Sequence, residues 1–171
     1  RRGRLLALHF NHRMRGRESK ADEVFCRKVC SSLGVGFVAG SWPGVHRDAS
    51  EAEARAARQA FLSAHSRALW LGHQQDDIAE TMLMRLARGS GAGGLAAPRP
   101  VQPMPPRRMH LRPLLTLKKA EIAATLEGAG ASWREDSSNS GQAFFRNRVR
   151  RRVLPEWVAA SQRDALSGAA R

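Results

Sequence analysis

The run His73-Gln74-Gln75-Asp76-Asp77-Ile78-Ala79-Glu80 gathers one imidazole and three carboxylates into a short stretch. An imidazole moves protons near neutral pH, and a carboxylate beside it supplies a base or a counter-charge during reaction. Asp77 and Glu80 stand at i, i+3, a spacing at which two helical carboxylates can hold a magnesium ion that keeps several of its waters. The same spacing is that of an aspartate-type capping box, which satisfies orphan backbone donors where a helix begins. Both readings stand, because one does not exclude the other.

Basic side chains supply the complementary chemistry. Arg146, Arg148, Arg150, Arg151 and Arg152, with Asn147 among them, put five guanidinium groups within seven residues. Each phosphate so contacted releases a counterion, so this density implies salt-dependent binding of a polyanion. Arg55 and Arg58 lie one turn apart on a helix, and most such pairs are solvated surface. Arg88 precedes Gly89-Ser90-Gly91, whose backbone donors could cradle a phosphate. The segment from Asn11 and His12 to Arg15 and Gly16 reads either as a solvated turn or as a nucleotide contact.

These residues need a scaffold that brings them to one edge. The apolar run Leu69-Trp70-Leu71 passes into a pattern in which Ile78, Ala79, Met82, Leu83, Leu86 and Ala87 recur at helical spacing, which is a buried strand feeding a helix. Arg4 to Phe10 reads as an earlier strand. Ser19 with Asp22 opens a helix whose stripe is Val24, Phe25, Val29 and Leu33, and Gly34 ends it. Val35 to Ala39 is the next strand. Ser50 and Glu53 repeat the capping pattern before a helix to about His65, with Ala57, Ala60, Phe61 and Ala64 toward the core. This alternation predicts an α/β fold, a Rossmann-like doubly wound parallel sheet with ligands bound at the carboxyl ends of its strands.

Beyond Arg88, glycines and prolines through Pro106 predict a long irregular segment. Order returns at Leu111. Thr116 is expected to cap a helix through about Glu127, closed by Gly128 and Gly130, and a further helix from about Gln142 carries Phe144, Phe145, Val149, Val153 and Leu154. One domain over residues 1–155 with a helical tail or linker at 156–171 is the simplest division of a chain of 171 residues.

A formal net charge of +14 favours nucleic acid over other partners. Cys26 and Cys30 are one helical turn apart and are expected to be reduced packing residues, since a structural zinc site wants four ligands. No apolar run reaches the ~18 residues that span a bilayer, and no signal-peptide order opens the chain, so a cytoplasmic protein without membrane contact is expected.

Taken together, these segments resemble the tRNA(Ile)-lysidine synthetase family of PP-loop ATPases, which have an adenine nucleotide alpha hydrolase-like fold. His9-Phe10-Asn11-His12 with Arg15-Gly16 is similar to its His-x-Asn-His-x-x-Arg-Gly segment, and Glu51-Ala52 with Ala54-Arg55 and Arg58 to its Glu-Ala-x-Ala-Arg-x-x-Arg helix. Gly72-His73, Asp76-Asp77, Ala79-Glu80-Thr81 and Arg88-Gly89-Ser90-Gly91 with Gly94-Leu95 resemble its central signature. Arg112-Pro113-Leu114-Leu115, Asp136, Ser138-Asn139 and Arg146-Asn147-Arg148-Val149-Arg150 with Leu154-Pro155 complete the order.

The resemblance implies ATP-dependent ligation of lysine to C2 of the wobble cytidine in the CAU anticodon of tRNA(Ile), with release of AMP and pyrophosphate. It implies His73, Asp77 and Glu80 as catalytic residues, and Asp77 and Glu80 as magnesium ligands. Asn11, His12, Arg55, Arg58, Arg88 and Ser90 would meet ATP, with arginines also available to the lysine carboxylate. Arg146, Asn147, Arg148 and Arg150 would hold tRNA; a homodimer is left open. The sequence departs from the family in two respects. The Ser-Gly-Gly-x-Asp-Ser loop and the strand before it are not found, so a catalytic domain shortened at its N-terminus is expected, inactive without that loop. His73-Gln74-Gln75-Asp76-Asp77-Ile78 also stands where the family often has His-His-x-Asp-Asp-Gln, leaving His73 as the one imidazole. A non-enzymatic RNA-binding module and a thiolating PP-loop enzyme are the alternatives.

Overall fold

The computed structural model describes residues 5–42, 50–95, 98–135, 145–161 and 164–169. Arg4, Asp136, Ser138, Asn139, Gln142 and Phe144, named above, lie outside the described residues. The chain groups into two compact units, Arg1–Arg67 and Ala68–Arg171.

The first unit is a βαβ unit followed by a helix: β1 (Leu6–Asn11), α1 (Arg17–Leu33), β2 (Gly36–Ser41) and α2 (Glu51–His65). β1 and β2 are parallel and in register from Leu6 opposite Gly36 to Asn11 opposite Ser41. α1 begins two residues before the expected cap. Ser19 is buried inside its first turn, where its hydroxyl accepts the Arg15 N–H at 3.3 Å. Gly34 ends the helix in the left-handed region at φ 65°, and the Val35 N–H returns to the Cys30 carbonyl at 2.9 Å.

The stripe expected on α1 is largely uncovered: Val24, Val29 and Leu33 are exposed, and only Phe25 is half-buried. The two-stranded sheet of this unit is narrower than the stripe. α2 is opened by the expected Ser50–Glu53 box, in which the Ser50 hydroxyl accepts the Glu53 N–H and the Glu53 carboxylate accepts the Ser50 N–H. Its buried residues are Ala54 and Leu62, whereas Ala60 and Ala64 are exposed. A side chain at Gly40 would place its Cβ 2.4 Å from the Phe61 ring, so the bare backbone is what lets β2 and α2 approach.

The second unit contains β3 (Ala68–Trp70), α3 (Gln75–Leu86), a 3₁₀ turn (Ala92–Leu95), β4 (Val101–Met104), β5 (Arg108–Leu111) and α4 (Lys119–Gly128). It continues through α5 (Phe145–Arg148), a π-helical turn (Val149–Val153), α6 (Leu154–Ala160) and α7 (Ala165–Ala169). The strand order is β3-β5-β4, with β3 parallel to β5 and β4 antiparallel to it. The fold is α/β with parallel pairing as expected, but the proline-rich segment is not irregular throughout: it forms the β4–β5 hairpin. Pro103 is tolerated because β4 is an edge strand.

α4 begins at Lys119 rather than at Thr116, and the Glu121 carboxylate accepts the Lys118 N–H at 2.7 Å. Thr116 instead offers its carbonyl to the Gln75 side chain at 3.1 Å. Ala79 of α3, Leu154 of α6 and Ala169 of α7 form a buried cluster flanked by Met82, Leu83, Trp157 and Leu166.

Candidate active site

α3 positions the acidic cluster. β3 is continued by a hydrogen bond from the Leu71 N–H to the Leu111 carbonyl at 2.8 Å, which delivers Gly72, His73 and Gln74 to the carboxyl edge of the sheet. The helix starts at Gln75, earlier than the capping reading placed it. Asp77 therefore occupies the third helical position, and its Oδ2 accepts the Gln74 N–H at 3.1 Å. Asp76 Oδ2 accepts the Lys119 N–H at 2.8 Å, tying the start of α3 to the start of α4. Glu80 lies one turn deeper and takes no part in the cap.

Glu80 is fully buried. Its Oε2 accepts from Arg146 Nε at 2.9 Å and from the Arg150 guanidinium at 3.1 Å, while its Oε1 is bonded by Arg150 Nε. Arg146 also reaches the Thr81 hydroxyl at 3.4 Å. Both arginines approach Asp77 Oδ1, at 3.7 and 4.0 Å. The hydrogen bond to Glu80 holds the Arg150 guanidinium above its ordinary pKa, against the opposing pull of burial. A carboxylate taken fully out of water is tolerable because charged donors cover both oxygens.

The backbone explains how two arginines reach one carboxylate. Arg146 and Arg150 are i, i+4 and share a helical face. Pro155 lacks the N–H that would bond the Arg151 carbonyl, and the Leu154 N–H bonds Val149 five residues back, widening this turn into a π-helix. Arg148, Arg151 and Arg152 are exposed on the same segment. Arg88, from the end of α3, and Arg148 both lie over the Phe145 ring, at 5.9 and 5.6 Å from its centroid. Ser90 donates its backbone N–H to the Arg85 carbonyl at 3.0 Å, and the Arg85 side chain bonds the Gly94 carbonyl at 2.9 Å, folding the glycine loop back on α3.

His73 has a partner that spacing did not suggest. Arg112 is buried, donates to the Arg99 carbonyl at 2.9 Å, and directs Nε–H to His73 Nδ1 at 3.2 Å. A guanidinium only donates, so Nδ1 must accept and the ring proton sits on Nε2. His73 is thereby held as a neutral Nε2–H donor.

In the first unit, Asn11 is buried at the end of β1. Its amide donates to the Ser19 carbonyl at 3.3 Å and to Glu23 at 3.4 Å, and its oxygen accepts the Arg13 N–H at 2.8 Å. These bonds join the strand end to α1. His12 packs edge-on to Phe10 and Trp42, and burial followed by the Arg58 charge lowers its pKa. Arg55 and Arg58 are exposed. A cavity of about 420 Å³ opens at this edge, lined by Asn11, Arg13, Lys20, Glu23 and Ser41 among others.

A family model described as the PP-loop domain matches residues 2–157. The chain belongs to the PP-loop domain family. It is 37% identical over 167 residues to a tRNA(Ile)-lysidine synthase of Solibacter usitatus, covering 95% of this chain and 37% of that protein. It is 41% identical over 161 residues to one of an Azoarcus species, covering 88% and 34%. The chain thus spans little more than a third of the length of these curated relatives. Among solved structures it is similar to the U34-tRNA thiolase NcsA from Methanococcus maripaludis with its [4Fe-4S] cluster, with TM-score 0.74 and 16% identity over 98% of this chain and 60% of that one. That likeness concerns the fold.

The expected magnesium pair, Asp77 and Glu80, is engaged otherwise in this structure. Both Glu80 oxygens are taken by Arg146 and Arg150, and Asp77 Oδ2 is spent on the Gln74 N–H. The donor set does not fit a cation bridged between Asp77 and Glu80. Among the described residues no group of three or more His, Cys, Asp or Glu side chains could hold a metal ion. Arg146 and Arg150, expected on tRNA, are turned onto Glu80. Asn147 is buried beside them. Arg112 stands in the Arg112-Pro113-Leu114-Leu115 segment of the resemblance with no role assigned, because 39 positions separate it from His73.

No helix among the described residues is long and apolar enough to cross a membrane.

Proposed function

We propose that the protein containing this chain ligates lysine to C2 of the wobble cytidine in the CAU anticodon of tRNA(Ile), at the expense of ATP, in the cytoplasm. In this reading the C2 carbonyl oxygen attacks the α-phosphorus of ATP and pyrophosphate leaves. The lysine amine then attacks C2, the C2–O bond breaks, AMP departs, and the amine gives up a proton. The observation that carries the proposal is the identity to lysidine synthases along 88–97% of this chain. The geometry at the mouth of α3 suits it.

Each side chain there has a distinct task. Asp77 Oδ1, which Arg146 and Arg150 approach at 3.7 and 4.0 Å, is the oxygen assigned to the incoming amine and its proton, since the other oxygen is the helix cap. Asp77 is a catalytic residue in this reading, and Glu80 a positioning one. The buried Glu80 carboxylate fixes Arg146 and Arg150, whose positive charge is then in place for the oxyanion and phosphates without reorganisation. His73 offers Nε2–H to the polarised cytosine or to the departing AMP oxygen, and Arg112 keeps that proton on Nε2. Magnesium accompanies the phosphates of ATP rather than a protein pair.

Exposed Arg148, Arg151 and Arg152 are assigned to the tRNA backbone, with Arg88 and Ser90 near the same loop. In the first unit, Arg55, Arg58 and His12 are assigned to ATP, while Asn11 shapes the strand end. The fold likeness to a thiolase does not redirect this reading, because Cys26 and Cys30 stand four positions apart on α1 and not as a Cys-x-x-Cys pair.

The test uses the natural protein with an unmodified CAU-anticodon tRNA(Ile) transcript, ATP and L-lysine. Lysine-dependent AMP release with one lysine added to the tRNA is expected. Asp77→Asn is expected to lower kcat by about a hundredfold or more, as loss of a general base does. RNA binding without AMP release would sink the ligase and leave an RNA-binding module.

A further inference from the structure

A second cleft in the Ala68–Arg171 unit, of about 430 Å³, is lined by Ile122 and Leu126 of α4, by Trp133 and by Lys119, Arg134 and Arg150. Its walls are apolar and its rim is cationic. Glu135 is the one acid among its described lining residues, and it is already engaged: it accepts the Trp133 indole N–H at 3.2 Å and lies 3.9 Å from Lys119 Nζ. The indole is held by its polar edge, and Trp133 is 39% exposed. Arg150 joins the cleft to the Glu80 network.

We propose that this cleft receives one unpaired base of a single-stranded RNA loop, lying next to the nucleotide that reacts. The base ring stacks on Trp133 against Ile122 and Leu126, and the flanking phosphates meet Lys119 and Arg134. Apolar walls with an indole suit a planar ring, and a volume of this size suits a nucleotide. The rim decides against free lysine. Lys119 and Arg134 face one committed carboxylate, while Arg150 is paired with Glu80, so the rim keeps a net positive charge that disfavours a cationic ligand and attracts an anionic backbone. The choice of tRNA as the RNA rests on the function proposed above; the cleft's preference for an unpaired base does not.

Binding of a synthetic hairpin RNA with CAU in its loop, read by fluorescence anisotropy on the natural protein, tests the cleft apart from catalysis. Trp133→Ala should weaken binding about tenfold or more without changing its salt dependence, and Trp133→Phe, which keeps a stacking face, should recover most of the loss. Arg134→Ala should instead reduce the salt slope by about one. The penalty of Trp133→Ala should vanish for a hairpin made abasic at one particular loop position. Circular dichroism of both Trp133 variants checks their fold. Wild-type RNA binding by a folded Trp133→Ala protein overturns the proposal, as does a penalty that survives every abasic substitution. L-lysine, rather than RNA, protecting Trp133 from fluorescence quenching would equally overturn it. Absence of lysine-dependent AMP release with the Trp133 effects intact would sink the ligase reading and leave the cleft standing.

Discussion

Glu80 and Glu23 are each flanked by two cations, yet they are built differently. Glu23 meets Lys20 at 3.0 Å and Arg27 at 3.3 Å, partners three and four positions away on α1 with side chains 66% and 56% exposed. Glu80 has no exposed surface, and its partners Arg146 and Arg150 come from 66 and 70 positions away. Helix geometry alone brings the first set together, and water screens it. The second set exists only once the unit has folded, and every charge in it depends on the others. A buried network of that kind contributes little net stability but is costly to break. The contrast marks Glu80 as the anchor of a pre-organised arginine pair and Glu23 as an ordinary helix pairing.

The largest effect should therefore come from cutting the buried network. Arg150→Ala leaves the Glu80 carboxylate out of water with one partner, and is expected to cost about 3–5 kcal/mol in urea denaturation. Arg146→Ala should cost less, because the Arg146 side chain is 43% exposed against 30% for Arg150. Replacing Glu80, Arg146 and Arg150 together by apolar residues of similar volume should restore most of the lost stability. In the ligase reading proposed above, AMP release should be lost in Arg150→Ala and stay lost in that triple variant. A triple variant as unstable as Arg150→Ala would show that the network stabilises the fold outright, and the distinction from Glu23 would narrow.

The same contrast explains what could be read before folding. Local features were legible: the β and α alternation, the Ser50–Glu53 cap, and the acidic cluster at the start of α3 all rest on neighbours within one turn. The role of Arg146 and Arg150 was not, because five arginines in seven residues read as one basic surface until the helix face and the π-turn before Pro155 separate them. Nor could spacing show that Arg112 sets the His73 tautomer from an adjacent strand end. The α1 stripe misled for a related reason: periodicity shows which face is apolar, and coverage depends on how much sheet lies against it. The proline and glycine content of the segment from Gly89 to Pro106 hid the edge strand β4, where a missing N–H costs little.

An intermediate effect is expected at the capping box of α2, which like Glu23 is local but which satisfies backbone donors rather than pairing charges. Ser50→Ala removes the acceptor for the Glu53 N–H. The expected loss is about 1 kcal/mol in thermal or urea unfolding, against a smaller one for Ser50→Asp, which can still cap. A loss as large as that of Arg150→Ala would mean that local and tertiary polar contacts are not separable here by size.

The smallest effect belongs to the exposed cations around Glu23. Lys20→Ala should cost less than about 1 kcal/mol, and that cost should fade as salt is raised. The lysine hydrogen bond is the first reason the Glu23 pKa lies below the ordinary carboxylate value, with the bonds from Asn11 and Arg27 adding to it against burial. A carboxylate depressed in the folded state lends stability above its unfolded pKa and loses it as pH falls through the folded one. Removing Lys20 raises the folded pKa of Glu23 toward its ordinary value, so the variant gives up that stability at neutral pH, loses less on acidification than the parent protein, and converges with it at low pH. Carboxylate chemical shifts of Glu23 followed through an acid titration would read the shift directly. Should Lys20→Ala cost as much in high salt as in low, Glu23 would be behaving as a shielded charge, and the line drawn between it and Glu80 would have to rest on depth of burial alone.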